Sequence, residues 1–404
     1  MKVLILNSLY RPYDIGGAER SVEILAAGLK SAGMIPVIVS TADKDRVDTV
    51  DGVKSYYLKI PNFYWMRTAK AQPVYKKPFW HLLDSFNPFL KSKLSAVIEN
   101  EKPDVFHSNN LGGFSVSAWK IAKSYKLPIV HTIRDHYLLC PNSVMYRNDR
   151  QCEKQCIRCR FYSLPKRGLS SRIDAVVGVS EFILKKHLRY GYFQNAAVKT
   201  HLYNPMSSDA AINSEDQDNE HIVFGYIGML APIKGIEYLL QRFSSIKPEN
   251  AKLKIFGKGI TPDYENYLKD KYTSGKIEFM GFTHPREIYG QIDMAVIPSL
   301  CDDAFPRVLI ESYSHGVPVI ATSLGGASEL VEEGVTGTVF DPSKPGDLES
   351  KIDYYSNNRN AIAEMSENCR KAMVAFDLGT FTRRMIEIYQ RVLEDREPNL
   401  SKRN

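Results

Sequence analysis

Short apolar runs recur along this 404-residue chain, and stretches with the 3.6-residue periodicity of helices separate them. Lys2–Leu6 reads as a buried strand, Glu19–Ala32 as a helix and Pro36–Ser40 as a strand again. Val105–His107 and Pro128–Thr132 continue the series, with a helix at Ser115–Tyr125 between them. Ala175–Val179 is a further strand, after which Ser180 caps a helix running to Tyr190. Such alternation predicts an α/β fold with a parallel sheet covered on both faces.

After Asn204-Pro205 the chain becomes polar and acidic from Met206 to Glu220, without periodicity, and this stretch reads as a linker. A second alternation follows, with strands at Ile222–Ile227, Leu253–Phe256, Ile277–Met280, Met294–Pro298, Val317–Ala321 and Thr338–Phe340. Helical runs such as Gly235–Phe243 and Asp263–Tyr272 lie between them. The expectation is two doubly wound Rossmann-like domains facing one another across a cleft. A last helix, Phe381–Leu393, carries no signal that assigns it to either domain.

Composition changes this picture little. Hydrophobic residues at 44% and charged residues at 25% are those of a water-soluble globular chain. The apolar start at Met1–Asn7 is too short for a signal peptide, and no later run approaches the length of a spanning helix, so a cytoplasmic protein is expected. Charge changes it more. Residues 1–205 hold 31 Lys/Arg against 16 Asp/Glu, while the remainder holds 22 against 30. The basic half favours an anionic partner, such as phospholipid headgroups or a pyrophosphate-linked acceptor, or it is a solvated basic surface.

The most informative stretch is Asp303-Ala304-Phe305-Pro306-Arg307-Val308-Leu309-Ile310-Glu311. Two carboxylates flank seven residues between apolar strands, with Glu311 in the early turns of a helix. Helix-start amides suit an anion and a carboxylate suits vicinal hydroxyls, which is the outline of a nucleotide sugar. Upstream, Gly228-Met229-Leu230-Ala231-Pro232-Ile233-Lys234-Gly235 leads from a strand into a helix and places an ammonium where a pyrophosphate can meet it. Gly257 and Gly281-Phe282 end further strands at turns, and Gly16-Gly17 separates the first strand from its helix without forming the GxGxxG dinucleotide pattern. After the strand at 317–321 comes Gly325-Gly326-Ala327-Ser328-Glu329.

Lys-Gly segment, signature and Gly-Gly loop, in this order, resemble the retaining glycosyltransferases of family 4, which have the two-domain GT-B fold. The resemblance covers nearly the whole chain. It implies sugar transfer from a nucleoside diphosphate to an acceptor hydroxyl with retention of configuration, and with no cofactor or metal for catalysis. It also implies that residues 1–205 with about 377–404 form the acceptor-binding domain, the last helix crossing back, and that 206–376 bind the donor. Glu311 then holds the ribose hydroxyls, Asp303 the transferred sugar and Lys234 the diphosphate. Gly16, Gly17, Gly228, Gly257, Phe282, Ala304, Phe305 and Pro306 line the donor. Departures fall at three places: Asp303 where the family has Glu, Met229 where it has Arg, and Arg134 where it has a sugar-contacting His. His136 lies two residues on and substitutes for that His if the loop shifts, while Arg134 either assists the leaving diphosphate or pairs with Asp135.

Two further constellations stay open. Cys140, Cys152, Cys156 and Cys159 cluster among Arg and Lys, as a structural zinc site or as unliganded thiols. Aromatics beside cations at Pro61–Met66 and Lys76–His81, continuing through Phe86 to Lys93, suit an anionic membrane surface or a lipid-linked acceptor, or else a core with a charged rim. The rival functions are a sugar-nucleotide epimerase on the same scaffold and a basic, zinc-containing nucleic-acid-binding protein. The transferase is expected to act without nucleic acid, on a glycan or lipid-linked glycan, in the cytoplasm or peripherally on the inner face of the cell membrane.

Overall fold

A computed structural model describes residues 1–13, 16–206, 220–246 and 248–395. The polar stretch read as a linker lies, apart from its ends, outside the described residues. The chain divides into two compact units. The first holds Met1–Met145, Glu153–Pro205 and the C-terminal helix Leu378–Glu394; the second holds Met206–Asp377 and a short excursion, Tyr146–Cys152.

In the first unit, strands β1 (Lys2–Leu6), β2 (Ile35–Thr41), β3 (Arg46–Val50), β4 (Val53–Leu58), β5 (Val105–Ser108) and β6 (Ile129–Ile133) come in chain order. The excursion forms a hairpin, β7 (Tyr146–Arg147) and β8 (Arg150–Gln151), and β9 (Ala175–Gly178) and β10 (Val198–His201) complete the half. The sheet order is β10-β9-β6-β5-β1-β2-β4-β3, parallel throughout except where β3 meets β4. That hairpin was not read from the sequence. Its signal is the Asp51-Gly52 turn, both residues at positive φ, and its edge strand is mostly exposed and polar, as an unpaired edge requires.

The C-terminal helix belongs to the first unit. Phe381, Met385, Ile388, Tyr389 and Val392 recur at helical spacing and are buried with Val3, Ile5, Leu25 and Leu29 in one core. Tyr389 Oη lies 2.7 Å from His107 Nδ1, which ties the helix to β5.

The second unit contains β11 (Ile222–Ile227), β12 (Ala251–Phe256), β13 (Ile277–Gly281), β14 (Met294–Ile297), β15 (Val319–Thr322) and β16 (Gly337–Phe340). Its sheet is wholly parallel in the order β13-β12-β11-β14-β15-β16. On one face the helices Ile236–Ile246 and Asp347–Ser356 pack together, contributing Leu239, Leu240, Phe243, Leu348 and Ile352 to the core around Phe224, Leu253 and Val296. Strand order reverses between β11 and β14. In doubly wound sheets ligands bind beyond the carboxyl ends of strands at such a reversal, which directs attention to the turns after these two.

Candidate functional site

Beyond β11 the chain turns at Gly228 and beyond β12 at Gly257, with φ of +147° and +145°. A Cβ on Gly257 would sit 1.8 Å from Gly228 O, so the two turns touch through backbone and no side chain fits between them. Lys234 then ends the single turn Pro232–Lys234, closed by Gly235 at φ +72°. A Cβ there would meet Pro298 O at 1.8 Å, and Leu300 N–H donates to Ile233 O at 3.0 Å. The turn after β11 is thus fastened to the loop after β14.

That loop carries the first signature carboxylate. Lys234 Nζ meets Asp303 Oδ2 at 2.6 Å, bringing together two residues read separately from the sequence. Burial opposes the lysine charge, but the neighbouring Asp303 outweighs it, and the amine is shifted above its ordinary range. Asp303 Oδ1 accepts from Phe305 N–H at 3.2 Å, and Asp303 O accepts from Gly326 N–H at 2.8 Å, so the Gly-Gly loop after β15 braces the same segment. Ala304 and Phe305 have buried side chains, Phe305 against Phe376, leaving only their backbone to line a ligand.

The helix Arg307–Ser314 starts at Pro306, and no side chain caps it. The Leu309 N–H already donates to Pro306 O at 3.1 Å, which leaves the amides of Arg307 and Val308 to meet an anion. Glu311 sits one turn in, 3.4 Å from Arg307 Nε. Arg307 was not singled out from the sequence, although an Arg four residues before a helical Glu is a legible pair. Its Nη1 is buried without a partner among the described residues. Met229 is half exposed, and Phe282 is 75% exposed with Lys258 Nζ 5.6 Å from its ring centroid. The structure thus brings Gly228 against Gly257 and Lys234 against Asp303 beyond the carboxyl ends of β11, β12 and β14, with Glu311 one turn into the helix that the last of these loops leads into.

In the first unit, Gly16 is the N-cap of the helix Gly17–Ser31, and its own N–H donates to Glu19 Oε2 at 3.0 Å. Arg134 follows β6 and donates from Nε to Asn109 Oδ1 at 2.9 Å and from Nη1 to Asn204 Oδ1 at 2.8 Å. Burial raises the Asp135 carboxyl to about 6, and its Oδ1 accepts from Tyr137 N–H at 2.7 Å. His136 does not take the open position expected of it. Its ring is 2% exposed and stacks on His187 at 6.3 Å, so it cannot touch a substrate without rearrangement. A buried lysine went unread as well: Lys166, 1% exposed, donates to Tyr137 O at 2.8 Å, and burial pulls its amine down to about 8 against the pull of Asp84 and Asp135.

The zinc reading of the thiols is not supported. Among the described residues no group of three or more His, Cys, Asp or Glu side chains is placed to hold a metal ion. Cys152 falls with the second unit and the other three with the first, and Cys140 is buried while Cys156 is exposed. Cys159 contacts both Cys140 and Cys156, which pushes its thiol up, while the Cys140 thiol is pulled down.

Residues 207–372 match the family model of the glycosyl transferases group 1, and residues 15–200 match that of glycosyltransferase family 4. The chain belongs to this glycosyltransferase family. It is therefore a transferase enzyme with the GT-B fold. A relative 33% identical over 333 residues, spanning 82% of this chain and 87% of its own, is an uncharacterized 42.6 kDa protein in the cps region of Klebsiella pneumoniae. The capsular polysaccharide biosynthesis glycosyltransferase CapM of Staphylococcus aureus is 29% identical over 158 residues, 38% of this chain and 41% of that one. Among solved structures, sucrose-phosphate synthase from Thermosynechococcus elongatus superposes with a TM-score of 0.76 at 16% identity, covering 98% of this chain and 99% of that one. Anabaena HepE in complex with UDP gives 0.69 at 18% identity, over 97% and 100%.

One contact of this glycosyltransferase had no sequence signal. The hairpin β7–β8 reaches the signature loop, where Gln151 Oε1 accepts from Asp302 N–H at 2.9 Å. Gln151 Nε2 and Tyr146 Oη are buried there without partners among the described residues. Replacing Gln151 by Met deletes the acceptor at nearly constant volume, a loss of about 1 kcal/mol for a single neutral bond. Hydrogen exchange of the peptide carrying Asp302 is expected to quicken roughly fivefold on that scale. Gln151→Glu, which keeps an acceptor, should restore it; unchanged exchange in Gln151→Met means that the bond does not hold the loop.

Proposed function

We propose that the second unit binds a nucleoside diphosphate sugar and that the enzyme passes the sugar to a hydroxyl of a glycan or lipid-linked glycan with retention of configuration. The observation that carries this reading is the 2.6 Å contact of Lys234 with Asp303 beside the uncapped helix that bears Glu311. One cation, one row of amides and two carboxylates meet the needs of a diphosphate, a sugar and a ribose. Glu311 accepts hydrogen bonds from the ribose hydroxyls. Lys234 and the first-turn amides of Arg307–Ser314 face the diphosphate, and Asp303 accepts from hydroxyls of the transferred sugar.

In the reaction, the bond between the anomeric carbon and the β-phosphate oxygen breaks. The acceptor oxygen bonds to the same face of that carbon, and its proton passes to the departing phosphate oxygen. Negative charge grows on the diphosphate as the bond lengthens, so a fixed ammonium and oriented amides lower the barrier without reorganising. These groups supply the positive charge, and the reading assigns no catalytic role to a metal. The first unit takes the acceptor, with the guanidinium of Arg134 serving an anionic group, while the Gly16 amide is already engaged by Glu19.

Two likenesses support the wider setting. HepE is solved with UDP-glucose, and CapM is named for capsular polysaccharide biosynthesis. Our reading is that the enzyme acts in bacterial-type polysaccharide or glycolipid assembly at the cytoplasmic membrane face. Among the described residues no helix is long and apolar enough to cross a membrane, so contact with a membrane would be peripheral.

The test is the product. With a nucleotide sugar that the enzyme uses, NMR of the new glycosidic bond should show the donor's anomeric configuration, at a rate unchanged by EDTA. An inverted product, or activity that EDTA abolishes and a divalent ion restores, contradicts the mechanism.

A further inference from the structure

Two helices of the first unit carry their apolar residues on the wrong side. Lys76–Ser85 buries Trp80 and Asp84, whereas Tyr75, Phe79 and Leu82, at i, i+4 and i+7, are 69%, 55% and 51% exposed. Ile157–Ser170 buries Tyr162, Lys166 and Ser170, whereas Ile157, Phe161 and Leu164, with the same spacing, are 86%, 57% and 66% exposed. The helices are neighbours. Tyr162 Oη donates to Pro78 O at 3.2 Å, and the rings of His81 and Tyr162 lie 5.8 Å apart. Phe63, itself exposed, extends the apolar surface by packing on Phe79 at 5.6 Å. Scattered exposed apolar residues need no explanation, but two adjacent outward stripes of large ones mark a surface meant to be covered.

Charge says what covers it. Residues 59–98 contain seven Lys/Arg and a single acidic residue, Asp84, which is 2% exposed. Residues 154–173 contain six Lys/Arg, all exposed except the buried Lys166, and no acidic residue, with the exposed Glu153 just before them. Arg158, Arg160 and Arg167 stand exposed between and beside the apolar stripe, and Lys76 and Lys77 flank the other. Long cationic side chains around aromatic and aliphatic ones suit the interface of an anionic bilayer: the stems lie along the acyl boundary while the charges reach phosphates.

We infer that the surface formed by Lys76–Ser85 and Ile157–Ser170 docks the enzyme on an anionic phospholipid bilayer, with Tyr75, Phe79, Leu82, Ile157, Phe161 and Leu164 entering the headgroup boundary. The inference deepens the transferase reading by naming the surface on which a membrane-borne acceptor is met. It is measured without donor or acceptor, so its failure leaves the donor site standing, and failure of the donor site leaves it standing.

The experiment is co-sedimentation of the full chain with vesicles of phosphatidylcholine alone and of phosphatidylcholine with phosphatidylglycerol. The wild type is expected to sediment with the anionic vesicles, at least about tenfold more tightly than with neutral ones, and to be released by raised salt. The triple variant Ile157→Ser, Phe161→Ser, Leu164→Ser should weaken binding at least about tenfold, since these residues supply the inserted apolar area. Arg158→Glu with Arg160→Glu should do the same by charge. Independently of any variant, hydrogen exchange in the wild type should slow over 74–83 and 157–168 when anionic vesicles are added. A wild type that stays in solution with anionic vesicles overturns the proposal, as does a triple-Ser variant that sediments unchanged or exchange that does not slow in those segments. Self-association of the wild type without vesicle binding, lost in the triple-Ser variant, also overturns it and makes the face a contact between copies of this chain.

Discussion

Glu311→Ala should abolish sugar transfer while leaving the protein folded. A carboxylate accepting from both ribose hydroxyls makes two charge-assisted hydrogen bonds, each of about 1.5–3 kcal/mol, so kcat/KM should fall by roughly two to four orders of magnitude. The fold has little to lose. Glu311 is partly exposed in the middle of an eight-residue helix, it approaches Arg307 at 3.4 Å and lies beside the buried Tyr289 hydroxyl, and alanine is the best helix former. Glu311→Gln keeps one acceptor oxygen and should fall between the two. A thermal midpoint within a few degrees of wild type, on the scale of about 1 kcal/mol for a domain this size, together with lost transfer, is the expected pair of results. Full activity in Glu311→Ala would remove the ribose role.

Lys234→Ala should produce the second largest loss, with a different signature. The amine is the cation in contact with the signature loop, so its removal should weaken a nucleoside diphosphate about a hundredfold and leave a free nucleoside unaffected. The variant also takes the 2.6 Å partner from Asp303 Oδ2, on a carboxylate 20% exposed that keeps the Phe305 N–H on Oδ1. Some destabilisation is therefore expected, discounted by the solvent that still reaches both groups. Lys234→Arg should recover part of the diphosphate affinity, because charge is restored while the compact ammonium geometry is not. Equal loss for diphosphate and nucleoside in competition assays would mean that Lys234 shapes the loop rather than meeting phosphate.

Much of the donor half was legible because its signals are local. Strands buried on both faces are nearly continuously apolar, which marked β11, β14 and β15, and the functional groups sit in the turns that end β11, β12 and β14. What stayed hidden depends on tertiary contact. No pattern announces that Lys234 and Asp303, 69 positions apart, meet at 2.6 Å, or that Gln151 from the other half of the chain fastens Asp302. The edge hairpin β3–β4 was passed over because its polar edge strand lacks the apolar run that identified the interior strands. The stretch after β6 misled for the opposite reason. It offers Arg, Asp and His within three residues, and only packing against Phe182 and His187 reveals that His136 points into the protein. The aromatic stretches near Trp65 and Trp80 held both readings at once: Trp80 is in the core, and Tyr75, Phe79 and Leu82 face out.

The central claim is that Lys234, Asp303 and Glu311 form the donor site of a nucleotide-sugar-dependent transferase. Its most direct test is thermal unfolding of the wild type, Lys234→Ala and Glu311→Ala in the presence of UDP, GDP or ADP and their sugars. A ligand at a hundred times its Kd stabilises by about 2.7 kcal/mol, enough to move a midpoint by several degrees. The account predicts that one nucleotide class raises the wild-type midpoint and that both variants lose the response. It is contradicted if no nucleotide shifts the wild type, or if Glu311→Ala is stabilised as strongly as the wild type.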